Sequence, residues 1–103
     1  MSAEETPIRT DDDDALLTLE ELCRAVSVEP RWVLQRIDAG LIDAPGGDAP
    51  PAWRFDAVTL VRVRRMAGVE RDFDAVPELA ALVADLAEEI AELRRRLNRW
   101  PGG

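Results

Sequence analysis

The chain has 103 residues, with 21 carboxylates against 13 basic residues, all of them arginine, and a formal net charge of −8. A domain this small buries only roughly 60–65% of its unfolded surface, so a partner or a second copy would add useful burial. The acidic balance argues against strong non-specific DNA binding, which needs clustered positive charge, and favours a basic protein partner.

Histidine and tyrosine are absent, and the only serines are Ser2 and Ser27. The usual base for nucleophilic catalysis is therefore missing. Cys23 is the single cysteine, which rules out an intramolecular disulfide and a multi-cysteine metal site. Asp11 to Asp14 lack the spaced ligands and turn glycine of a calcium loop. No apolar run approaches the roughly 20 residues of a membrane span, and no basic-then-apolar leader opens the chain. The expectation is a soluble, cytoplasmic protein that is not an enzyme and carries no cofactor or metal.

Residues 1–15 are polar and acidic, with Glu4, Glu5 and Asp11 to Asp14 against Arg9 alone. Without an apolar period they read as a disordered acidic tail. Thr18-Leu19-Glu20-Glu21 fits a capping box, so a first helix is expected over 18–26, with Leu19, Leu22 and Val26 at helical spacing. Cys23 then falls on it as a small buried apolar residue. Ser27 or Glu29 can cap a second helix over 30–39, because Pro30 suits the first helical position. Val33 and Ile37 should face its core, and Gly40 should end it in a left-handed conformation. Two short helices joined by a tight turn make a helix-turn-helix.

Residues 43–52 hold three prolines and two glycines and read as a loop. Trp53-Arg54-Phe55 alternates and reads as a brief strand, with Phe55 in the core; loop and strand together occupy the place of a wing. Asp56 caps a third helix over 57–70, with Val58, Leu60 and Val61 expected to face inward, and Asp72 to Asp74 break it. The domain thus runs over 16–74.

The last segment, 75–100, carries the strongest period. Val76, Leu79, Val83, Leu86, Ile90, Leu93, Leu97 and Trp100 follow an unbroken 3-4 spacing, the pattern of a coiled coil. Glu78, Asp85, Glu88, Glu89 and Glu92 come first and Arg94, Arg95, Arg96 and Arg99 last. Acid first and base last suits the helix dipole. It also predicts an antiparallel homodimer, which sets each acidic half against a basic one, with Leu79, Val83, Leu86, Ile90, Leu93 and Leu97 at the interface. The alternative is that the stripe packs back on its own domain.

Leu19-Glu20-Glu21-Leu22, the Pro30-anchored second helix, Gly40-Leu41-Ile42, Trp53-Arg54-Phe55 and the terminal coil resemble the MerR-like winged helix-turn-helix superfamily over Leu17 to Leu97. Leu22-Cys23, Gly40-Leu41-Ile42, the aromatic-x-Phe-Asp unit Trp53-Arg54-Phe55-Asp56 and the acidic-then-arginine coil are similar, within it, to the chaperone-modulator family CbpM. The fold class expected is therefore mainly α, a winged helix-turn-helix with a long C-terminal coiled-coil helix. DNA-binding members typically carry an Arg-Tyr-Tyr-Glu type run before Gly-Leu-Ile; here the stretch is Leu34-Gln35-Arg36-Ile37. That departure weakens the reading as a DNA-binding transcriptional regulator, although Arg31, Arg36 and Arg54 keep it open.

The resemblance implies binding to the J-domain of a CbpA/DnaJ-type co-chaperone and inhibition of its activity. The J-domain face that engages Hsp70 is basic in that family, so an acidic surface could cover it. Trp53 is the expected anchor, because aromatic residues dominate interface energies; packing on the first helix is its alternative role. Trp32, off the Val33/Ile37 stripe, and Arg54 are expected on the same surface, with Glu20, Glu29 and Asp38 as acidic contacts.

Overall fold

A computed structural model of the chain describes residues 16–46 and 49–100. The acidic segment 1–15 lies outside the described residues. Four α-helices occupy them: α1 (Leu19–Val26), α2 (Pro30–Asp38), α3 (Ala57–Phe73) and α4 (Pro77–Arg99), with a 3-10 turn over Pro50–Ala52. The chain divides into two compact units, one ending at Arg64 and the other starting at Arg65.

In the first unit, local chemistry sets the helix ends. The Thr18 hydroxyl accepts from Glu21 N at 3.1 Å, and Glu21 Oε1 accepts from Thr18 N at 2.9 Å, which closes the capping box. Ser27 ends α1 with φ 64°, a left-handed cap taken by a non-glycine residue. Glu29 holds the N-cap position of α2, but its side chain makes no capping hydrogen bond; Pro30 behind it supplies the start. Gly40 turns out of α2 at φ 79°, and the amides of Leu41 and Ile42 both return to Arg36 O, at 2.8 and 3.3 Å.

Leu22, Cys23, Val26, Val33, Ile42 and Phe55 are buried, while Ile37 is half-buried. The expected strand is not formed. Phe55 makes one isolated antiparallel bridge with Leu17, through amides donating at 2.7 and 2.8 Å. A three-residue run with so short a partner cannot extend a ladder, and Pro50-Pro51, which lack amide donors, fold as a 3-10 turn instead.

α3 begins where Asp56 Oδ1 accepts from Thr59 N at 2.9 Å, and it continues to Phe73, three residues beyond expectation. The positive φ of Asp74, 53°, follows that end. Its inward face was mis-phased: Val58 is 69% exposed and Val61 41%, whereas Val63, Met66 and Ala67 are buried. Five apolar residues among 57–63 leave the phase ambiguous, and the packing selects the later set.

The second unit contains α4, whose 23 residues span about 35 Å. Ala80, Ala81 and Ala84 are its buried residues. The leucine and valine stripe is exposed, from 38% at Val83 to 65% at Leu97. No helix of the described residues is long and apolar enough to cross a membrane.

Candidate partner-binding surface

The starts of α1 and α2 and the Pro50–Ala52 turn enclose an open groove of about 360 Å³, lined by Thr18, Leu19, Glu20, Pro30, Pro50 and Pro51. Its walls are mostly aliphatic and proline carbon, with the Glu20 carboxylate as the one charge. Glu29 is exposed beside Pro30 in sequence, so two expected acidic contacts flank this groove. Glu21 is the third carboxylate nearby, and the capping box already uses it.

Trp53 follows the turn, with its amide donating to Pro50 O at 3.1 Å. It is half-buried, and its ring stands edge-on to Phe55 at 6.2 Å between centroids. The indole Nε1 is buried with no acceptor in reach. An unmet donor of this kind carries a desolvation penalty of about 1–3 kcal/mol, which an acceptor supplied by a small shift of the ring would relieve. Arg54 is exposed, yet its guanidinium bends back to donate to Trp53 O at 2.7 Å and Pro51 O at 3.3 Å. The same residue borders a second groove of about 310 Å³, with Leu16, Asp43, Pro45, Phe55, Asp56 and Val58 on its walls.

Trp32 is half-buried, and the Arg36 guanidinium lies over its ring at 4.0 Å. Arg36 itself is buried, 8% exposed, and donates to Trp32 O at 3.1 Å. It therefore cannot serve as a phosphate contact, against the sequence expectation that kept it available to DNA. Arg62 is likewise committed, donating from Nε to Leu41 O at 3.0 Å and tying the turn after α2 to α3. Asp38 is exposed at the far end of α2, nine residues and about 13 Å from Glu29. The groove thus gathers Glu20, Glu29, Trp53 and Arg54 around one turn and leaves Asp38 apart.

Sequence reasoning missed Pro50 and Pro51 as walls. The signal present was the proline pair itself, a stiff element without side-chain entropy to lose on binding. Cys23 offers no second chemistry: burial pushes its thiol above its ordinary value, which keeps it protonated and unreactive. Among the described residues no group of three or more His, Cys, Asp or Glu side chains could hold a metal ion.

Residues 17–100 match the family described as MerR HTH family regulatory protein. The chaperone modulatory protein CbpM of Coxiella burnetii is 32% identical over 82 residues, which cover 80% of this chain and 76% of the relative. The chain belongs to the CbpM family. Other members similar to it are the CbpM proteins of Pseudomonas entomophila, 30% identical over 78 residues, and Pseudomonas putida, 27% identical over 78 residues, each alignment covering 76% of both chains. No solved structure matches the chain. In this CbpM-family chain the MerR-type framework is helical, with a single β-bridge among the described residues where the wing was expected.

Proposed function

We propose that the protein is a chaperone modulator that binds the J-domain of a CbpA/DnaJ-type co-chaperone and inhibits its co-chaperone activity. Family membership with proteins named for chaperone modulation carries this reading. The groove supports it with a surface of suitable chemistry: apolar walls, the Glu20 and Glu29 carboxylates at the rim, and the Trp53 ring behind the turn. A basic helix with aliphatic stems could lay its stems on the prolines and its cations on the carboxylates. Binding there needs no catalytic group, in keeping with a protein that is not an enzyme and acts in the cytoplasm.

The working form is an antiparallel homodimer through Leu79, Val83, Leu86, Ile90, Leu93 and Leu97. All six are exposed in the single chain, a contiguous apolar face of the kind that marks an interaction site.

The match to a regulatory helix-turn-helix family favours a second reading, DNA binding by α2. Two of the arginines it would use are engaged elsewhere, Arg36 on Trp32 and Arg54 on its own backbone. Calorimetric titration with the isolated J-domain of the host's CbpA-like protein, at physiological salt, separates the two. Saturable binding is expected, weakened about 30-fold or more by Trp53→Ala with the helical signal unchanged. Absence of J-domain binding together with salt-dependent binding of duplex DNA would overturn the proposal in favour of the regulator.

A further inference from the structure

The open face of α4 can meet a second copy in only a few ways, and its residues discriminate among them. The argument rests on the dimer reading and specifies its geometry. Val76, Val83, Ile90 and Leu97 form one row of the 3-4 pattern, and Leu79, Leu86, Leu93 and Trp100 the next; all eight are exposed. The buried Ala80, Ala81 and Ala84 occupy a different face, roughly 120° or more around the helix. The chain's own packing therefore leaves the leucine face free.

A parallel pair in register would set Glu89 against the partner's Arg94. It would also place Arg94, Arg95, Arg96 and Arg99 alongside the same four arginines. An antiparallel pair offset by one heptad would set Glu89 against the partner's Arg96, but Val76 and Leu79 of both chains would overhang. An antiparallel pair in full overlap matches Val76 with Trp100, Leu79 with Leu97, Val83 with Leu93, and Leu86 with Ile90. It lays the stem of Arg96 on the partner's exposed Leu82, with its cation between the partner's Glu78 and Asp85. Its one unfavourable feature is that the two Glu89 side chains face each other at the centre.

Burying a large aliphatic side chain outweighs an exposed ion pair several-fold. The offset pair, which strands four such side chains to gain two ion pairs, is therefore inferior. Between the full-length arrangements, the antiparallel one opposes the helix dipoles and sets acid against base along the whole seam. We infer that the second copy lies antiparallel in full overlap, so that Trp100 of each chain closes the seam on the other's Val76 and the two Glu89 carboxylates meet across the twofold axis. Phe73 and Val76, 77% and 61% exposed, make that end of the seam apolar enough to receive an indole.

Cysteine cross-linking of the full chain in a Cys23→Ala background tests the geometry. Val83→Cys mixed with Leu93→Cys should give an oxidised, disulfide-linked dimer, and neither variant alone should do so. Equivalent residues at 83 would stand about 15 Å apart along the axis, beyond disulfide reach. Links formed by either single variant would identify the parallel pair, and links only between Ile90→Cys and Leu93→Cys the offset pair. Either result overturns the inference while the dimer stands. Sedimentation supplies an independent sign: Glu89→Gln should tighten the dimer about two- to fivefold in the inferred geometry and weaken it in both others. A chain that sediments as a monomer at every concentration would overturn the dimer reading itself.

Discussion

The two ends of this small protein spend their apolar residues in opposite ways. In α1 and α2 the large side chains are inside: Leu22 and Val33 have no exposure at all, and the helix ends are closed by a capping box, a proline and a glycine. In α4 the large side chains are outside and the alanines are inside. Helices of eight and nine residues are too short to persist alone and depend on tertiary packing. A 23-residue helix can form largely on its own sequence and keep a whole face for another molecule. The first region is complete in one chain, whereas the second is complete only with company.

Truncating one leucine in each region puts the largest strain on that contrast. Leu22→Ala should cost about 2–5 kcal/mol of unfolding free energy at any protein concentration, because it opens a cavity in a closed core. Leu86→Ala, at a site 52% exposed, should cost less than about 1 kcal/mol in dilute solution and progressively more as concentration rises and dimers form. Denaturant titrations at two concentrations read both. Equal, concentration-independent losses would mean that the leucine face packs on its own chain.

A smaller effect separates the helix ends. Thr18→Ala should destabilise the protein by about 1 kcal/mol through the lost cap. Gly40→Ala should cost about 1–2 kcal/mol, because the left-handed φ of 79° strains an alanine although no atom lies within 4 Å of the added carbon. If Gly40→Ala were neutral by thermal melting, the turn would not hold this conformation in solution.

Those end signals were legible in the sequence because each is local: Thr18 and Glu21 are three residues apart, and Gly40 acts on its own bonds. The 3-4 stripe of α4 was legible for the same reason. Three features were not. The face of α3 could not be phased while Val58, Leu60, Val61 and Val63 crowd one stretch. Ala80, Ala84, Ala87 and Ala91 also repeat at 4-3-4 spacing, but small residues scarcely register beside leucines in an apolar pattern, so the second face went unseen. The groove is tertiary: Glu20 and Pro51 lie 31 positions apart, and no spacing rule unites them. Arg36 shows the limit most plainly. Its type suggested a surface contact, and only the ring of Trp32 one turn earlier turns it inward.

The smallest expected effect concerns the end of α4, where the Glu92 carboxylate accepts from both Arg95 and Arg96. These bonds, that to Arg95 foremost, hold its acidity below the ordinary glutamate value of 4.5. A depressed value in the folded state means that the contribution to helix stability is complete above the unfolded value and disappears as pH falls through the folded one. The group is fully exposed, so the contribution is small and screened by salt. Carboxyl-resolved NMR titration should place the Glu92 midpoint below that of Glu89, which the single chain leaves without such a pair in the direction of the arginines. A coincident midpoint would show that the arginine fork is loose in solution. In that case the basic end of α4 would reach a second chain with its cations unclaimed, and the contrast between a closed first region and an open second one would be sharper still.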